Sequence, residues 1–156
     1  LMELAMKGTG KEAFPFKWID EKGNFKELKD YRDKILVLDF WYTGCPGCTS
    51  MPPVMKAIKE KFRNRNDVLF LSVSIDPSVR IWKQGLKSGL YTFTGQEHLK
   101  TIESGRTDPF ILSYRVNSYP RVIVIGKRGK LLSAFPVDPR IDKGDFIIRQ
   151  IEKAVR

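Results

Sequence analysis

The sequence predicts an α/β fold, a central mixed sheet flanked by helices, and three observations carry that expectation. Ile35-Leu36-Val37-Leu38 is a short, continuous apolar run of the kind seen in strands buried on both faces. Soon after it the period switches, and Met51, Met55, Ile58 and Phe62 recur at helical spacing along one face. Val68-Leu69-Phe70-Leu71-Ser72-Val73-Ser74-Ile75 then returns as a strand, and strand–helix–strand argues for parallel pairing. At 156 residues the chain is long enough to bury a sizeable core as one domain. Residues 1–13 read as a flexible lead-in and 14–156 as the folded unit.

Taken in order, Phe16-Lys17-Trp18-Ile19 and Phe25-Lys26-Glu27-Leu28 flank Asp20-Glu21-Lys22-Gly23-Asn24, which reads as an N-terminal β-hairpin. Pro52 and Pro53 fall inside the helix that follows the central strand, where interior prolines predict a kink. Asp76-Pro77-Ser78 closes the second strand and opens a helix with Ile81, Trp82 and Leu86, ended near Ser88-Gly89, with Trp82 as core packing. Gly95-Gln96-Glu97-His98-Leu99 fits a loop or a short helix, and His98 receives no role. Asp108-Pro109 supplies a cap and a first-turn proline for Phe110-Ile111-Leu112-Ser113-Tyr114. Pro120 opens the β-branched run Arg121-Val122-Ile123-Val124-Ile125, so it marks either a sheet edge or a special bond. Gly126-Lys127-Arg128-Gly129-Lys130 turns the chain into an antiparallel return from Leu131 to Phe135. A last amphipathic helix carries Phe146, Ile147, Ile151, Ala154 and Val155.

Composition narrows the classes. Hydrophobic content of 42% is ordinary for a globular chain, and no apolar run approaches the length of a membrane span. The opening Leu1-Met2-Glu3-Leu4 lacks a basic region followed by an apolar core, so no signal peptide is read there. A leader or membrane anchor lost upstream stays open. Lysine and arginine total 28 against 18 acids, a net charge of +10. The basic residues are interleaved with apolar positions, as on solvated outer faces, and no nucleic-acid motif accompanies them. Charge alone supports only nonspecific attraction to nucleic acid, and an acidic protein partner is the more natural use of the field.

The chemistry sits in Trp41-Tyr42-Thr43-Gly44-Cys45-Pro46-Gly47-Cys48, which holds both cysteines of the chain where a buried strand hands over to a helix. Helix N-termini lower a cysteine pKa from about 8.5 to roughly 3.5–7.5, and the thiolate is the attacking species. Two intervening residues let Cys45 face solvent as nucleophile while Cys48 waits one turn inward to resolve a mixed disulfide. Pro46 suits an early helix position, where its missing N–H is no loss. Asp39 interrupts the apolar run. It reads either as a partly exposed strand-end carboxylate or as a half-buried proton acceptor near Cys48 with a desolvation-raised pKa, the reading favoured here. This redox reading requires no metal or organic cofactor. Two bland readings compete with it. Half a zinc site needs four ligands, and beyond the cysteines the chain offers one distant histidine and carboxylates. A purely structural disulfide would close a very small loop and gain little chain entropy.

The order of elements, together with Leu38-Asp39-Phe40-Trp41-Tyr42-Thr43-Gly44-Cys45-Pro46-Gly47-Cys48, Pro53, Tyr114-Arg115-Val116 and Tyr119-Pro120-Arg121-Val122-Ile123-Val124-Ile125, resembles the thioredoxin superfamily. Within it the chain is similar to TlpA/ResA-like thiol:disulfide oxidoreductases of the bacterial cell envelope. The resemblance implies a thioredoxin fold with the N-terminal hairpin as an extension, and a cis bond at Pro120 with Tyr119 before it. It also implies a substrate-facing surface of Trp41, Gly44, Pro46, Tyr119 and Pro120, with Trp41 either a packing aromatic beside the site or plain core. Its partners would be protein disulfides or dithiols such as apocytochrome c, and a redox-partner dithiol protein. The location would be the periplasm or envelope, and the state a monomer.

The chain also departs from that family. Gly44 stands where a tryptophan is usual, which predicts a more open thiol. Ser72 aligns with the lysine that neighbours the buried acid, so Asp39 is expected to lack that cation. Met51 replaces a frequent glutamate, and Pro46-Gly47 reverses the common pair, so both reducing and oxidising directions stay open. Two rivals remain alongside this reading: a thiol peroxidase of related fold, for which Thr43 would be relevant, and a thioredoxin-fold metal carrier or binding module.

Overall fold

The apolar run at Ile35 grows into the middle of the sheet. In the computed structural model, which describes residues 6–156, β3 spans Ile35–Trp41 and all of it is buried. It continues through Asp39 because both of its edges are paired. β4 (Val68–Ser74) lies parallel on one side and β6 (Arg121–Ile125) antiparallel on the other. β1 (Lys17–Asp20), β2 (Phe25–Glu27), β5 (Glu97–Thr101) and β7 (Leu131–Ser133) complete a seven-stranded mixed sheet in the order β2-β1-β5-β4-β3-β6-β7. The expected hairpin is β1–β2, its turn held by the Asp20 carboxylate accepting from the N–H groups of Lys22 and Asn24, each at 2.9 Å.

Three local expectations change. Where the sequence leaves Gly95–Leu99 between loop and helix, the structure inserts β5, antiparallel to β1 and parallel to β4. Its polar residues hide it, yet pairing on both edges overrides weak strand propensity. Lys100 is wholly buried there, its Nζ donating to the carbonyls of Thr101 (2.6 Å) and Glu103 (3.3 Å). Pro52 and Pro53 do not kink a helix interior. α1 spans Met51–Glu60 with Ser50 as its N-cap, so both prolines sit in the first turn, where N–H groups have no intrahelical acceptor. The cysteines are carried instead by the bend at Cys45 and a separate 3-10 turn, Gly47–Ser50. The expected lead-in lies partly outside the described residues. From Gly10 it is tied down: the N–H groups of Gly10 and Ala13 donate to the carbonyls of Leu131 and Gly129, both at 2.8 Å, and Ala13 is buried. The edge strand β7 thereby gains a partner.

Helices cover both faces. α1 and α5 (Asp145–Ala154) pack Met51, Met55, Ile58, Ile147 and Ile151 on Ile35, Val37, Val122 and Val124. The opposite face buries Leu36, Leu38 and Phe40 under an aromatic group in which Trp18 stacks on Phe16 at 4.0 Å and meets Phe110 edge-on at 5.2 Å. α2 (Val79–Ser88) flanks the end of β3, burying Trp82 as expected, and the short α3 (Pro109–Ser113) and α4 (Pro139–Asp142) close the loops on either side of β6 and β7.

Asp108 serves two elements at once: it caps α3 by accepting from the Ile111 N–H (3.1 Å) and accepts from the buried Trp18 indole N–H (2.9 Å). Asp108→Ala is expected to lower the unfolding free energy by about 1–3 kcal/mol, since it removes a cap and leaves a buried donor unpaired. Denaturant titration of the oxidised protein measures it, and an unchanged midpoint would contradict the assignment.

Candidate active site

β3 delivers the chain to the redox turn. Beyond Trp41, the Thr43 N–H and hydroxyl both donate to the buried carboxylate of Asp76 (2.9 and 2.8 Å), which also accepts from the Ser74 hydroxyl at 2.7 Å. Gly44 follows with φ +92, a backbone state that L side chains rarely adopt, and this swings the chain back over the strand end. The Cys45 N–H returns to the Tyr42 carbonyl at 3.1 Å and the Cys48 N–H to the Cys45 carbonyl at 3.3 Å. Cys45 and Cys48 are joined as a disulfide, with their Cα atoms 5.4 Å apart.

The cysteines are less open than the sequence predicts. Both are 1% exposed, enclosed in a cluster with Trp41, Trp82 and Tyr91. Tyr91, from the loop after α2, helps enclose the cysteine pair: its ring stacks on Trp41 at 4.9 Å and its hydroxyl accepts from the Gly44 N–H at 2.8 Å, while the space that a Cβ on Gly44 would enter stays open. Trp41, also 1% exposed, supports the pair from beneath and does not meet solvent, whereas Pro46 and Gly44 are exposed. Gly85 of α2 permits this packing, because a Cβ there would clash with the Thr43 hydroxyl and lie 2.9 Å from the Trp41 ring.

Asp39 is fully buried, not half-buried, with Oδ1 lacking any hydrogen-bond partner. Desolvation pushes its pKa up to about 8, opposed by the charge of Arg140 and reinforced by that of Asp138. Its strand neighbours in register are Ser72 and Val122. Ser72 hydrogen-bonds His98 Nδ1 at 2.8 Å, so no lysine stands beside the acid. Strand alternation puts Asp39 on the face of Val37 and Trp41, the face that α1 and the cysteine cluster cover.

The Tyr119–Pro120 peptide bond is cis. β6 lies inside the sheet, which removes the edge reading of Pro120. The bond abuts the redox turn: a Cβ on Gly47 would be 3.3 Å from Pro120 Cδ and 3.8 Å from the Tyr119 carbonyl oxygen. Tyr119 is half-buried and meets the Tyr42 ring edge-on at 5.6 Å. Sequence reasoning missed Asp76, Tyr91 and Arg140. Asp76 carried a readable signal, an acid at the end of a buried strand just as Asp39 is. Tyr91 and Arg140 lie in loop-rich stretches without periodicity.

Residues 9–146 match the family described as Redoxin. The chain is 30% identical over 130 residues to the thiol-disulfide oxidoreductase ResA of Geobacillus kaustophilus, covering 83% of this chain and 70% of that protein. It is 31% identical over 99 residues to the thioredoxin of Oryctolagus cuniculus, covering 54% of this chain and 91% of that one. The fold superposes on the thioredoxin domain of a thiol-disulfide oxidoreductase from Bacteroides vulgatus with a TM-score of 0.73 at 24% identity, covering 95% of this chain and 98% of the other.

Two outcomes follow from the geometry. Tyr91→Ala should speed alkylation of Cys45 in the reduced protein about fivefold, the equivalent of one hydrogen bond of ~1 kcal/mol holding the cover shut; an unchanged rate would refute the cover. Asp39 binds a proton on folding because its pKa rises from 3.8 to about 8. The stability tied to that proton is complete below the unfolded value and is lost as pH rises through the folded one, with a slope of at most about 1.4 kcal/mol per pH unit. Asp39→Asn should flatten stability between these pH values and raise it most at the alkaline end, as read by denaturant midpoints across the range.

Proposed function

Because the chain belongs to the Redoxin family and is a ResA-like thiol-disulfide oxidoreductase, we propose that Cys45 is its nucleophile, Cys48 its resolving thiol and Asp39 the proton acceptor between them. The observation that carries this reading is the Cys45–Cys48 disulfide set against the cis-proline bond, with a buried carboxyl, unpartnered at Oδ1, on the face of β3 that the cysteine cluster covers.

In the reducing direction the Cys45 thiolate attacks one sulfur of a substrate disulfide. A Cys45–substrate bond forms, the substrate bond breaks, and the departing sulfur takes up a proton. Cys48 passes its proton to the Asp39 carboxylate and attacks Cys45 Sγ. The Cys45–Cys48 bond forms, the mixed disulfide breaks, and two electrons have moved from the protein dithiol to the substrate. The oxidising direction is the same sequence reversed. Asp39 acts as a base only when ionised, so resolution should quicken as pH rises through about 8.

Substrate recognition falls to the surface around the turn. Beside Tyr119 and Pro120 lies an apolar groove of about 400 Å³ that Phe135, Val137 and Ile141 also line. It suits an extended peptide whose backbone pairs with that of Tyr119 while an apolar side chain enters the groove. Gly44 and Pro46 form the exposed rim. The substrates are protein thiols and disulfides, with apocytochrome c as one such substrate and a dithiol protein as the electron partner. An extracytoplasmic location is supported by the likeness to ResA. The peroxidase alternative loses its threonine, since the Thr43 hydroxyl is engaged with Asp76.

Cys48→Ser should accumulate a mixed disulfide through Cys45 with protein substrates, visible on non-reducing gels, and Cys45→Ser should not. Equal trapping by both variants would refute the division of roles. Asp39→Asn should slow resolution and abolish its rise near pH 8 in stopped-flow traces, whereas an unaltered pH profile would refute the proton role.

A further inference from the structure

We propose that Arg140 is a positioning residue of the redox reaction, a guanidinium that grips the turn between the two cysteines and supplies the missing cation for Asp39. Its consequence for rate rests on the proton-acceptor reading above, but its geometry does not.

Arg140 forms a fork with the carboxylate of Asp138, Nε donating at 3.1 and 3.2 Å and Nη2 at 2.7 Å, while Asp138 caps α4 by accepting from the Arg140 N–H at 2.9 Å. This leaves Nη1 aimed at the redox turn, where it donates to the Gly47 carbonyl at 3.1 Å and the Ser50 hydroxyl at 3.2 Å. A Cβ on Gly47 would come within 3.3 Å of Nη1, so the guanidinium packs directly against the turn. A planar fork can hold a carboxylate and a carbonyl together in one geometry, which a lysine ammonium cannot.

The same side chain stands on the Asp39 side of the sheet. Val122, the register partner of Asp39, and Met51 line one groove with Arg140. The charges acting on Asp39 are Arg140, which favours its ionised form, and Asp138, which opposes it. β4 offers uncharged Ser72, β6 offers Val122, and α1 presents Met51 and Met55; His98 lies one strand further and is bound to Ser72. Cys45 and Cys48, once reduced, are further titratable groups on this side. The cation that Ser72 does not provide thus comes from α4. Because one guanidinium touches both the turn and this field, the charge of Asp39 and the seating of the cysteines are linked.

The test is the midpoint of the Asp39 carboxyl, followed by ¹³C NMR in the disulfide form, where no thiol titrates. Arg140→Gln, which removes the charge, should raise that midpoint by about one unit, and Arg140→Lys should restore most of it. The pH midpoint of mixed-disulfide resolution should move with it in the Arg140→Gln protein, and Arg140→Gln should cause no such shift in an Asp39→Asn background. A carboxyl midpoint equal in Arg140→Gln and parent overturns the proposal, as does a kinetic shift that persists in the Asp39→Asn background. A carboxyl midpoint that moves while the kinetic profile stays fixed supports the placement of Arg140 and overturns the proton role of Asp39.

Discussion

The redox end depends on β3 being hydrogen-bonded along both edges while both of its faces are covered. A strand held that way ends at a defined place and height, and the next residues must leave the sheet together. Here they leave at Trp41, between β4 and β6, and the turn bearing the cysteines is set over the strand's last residues. The same double pairing drags Asp39 into the interior. A carboxyl there is tolerated because protonation is cheaper than burying its charge unpaired.

Much of this was legible in sequence, and the reasons are physical. A continuous apolar run and a switch to helical period report burial on two faces and then on one, so β3, α1 and β4 could be read directly. The paired cysteines at that junction, and the acid before them, are residues the structure brings to the end of β3, the cysteines joined and the acid buried. β5 was not legible, because Glu97-His98-Leu99-Lys100-Thr101 owes its strand state to neighbours on both edges and not to its own residues. The placing of Pro52 and Pro53 also escaped sequence reasoning. A first turn and an interior turn look alike until the start of α1 is known, and that start depends on the 3-10 turn before it.

The departures from the thioredoxin pattern are met by residues far away in sequence. Gly44 carries no side chain next to Cys45, and Tyr91 from the loop after α2 joins the aromatic cluster that buries the cysteine pair. Ser72 offers no cation beside Asp39, and the charge of Arg140, forked with Asp138 on α4, acts against the desolvation that raises that carboxyl. A local reading of the motif predicts an open thiol and an isolated acid. The folded chain has a buried cysteine pair and an acid that the opposed charges of Arg140 and Asp138 reach, because side chains distant in sequence converge on the end of β3.

The central claim is that Cys45 and Cys48 form one reversible two-electron couple. Equilibration against glutathione buffers of graded potential, followed by alkylation and mass measurement, tests it most directly. The account predicts a single transition in which both thiols appear together, at a potential that about 30 mV steps resolve to ~1.4 kcal/mol. Thiols that appear one at a time, or a disulfide that never opens across the range, would contradict it.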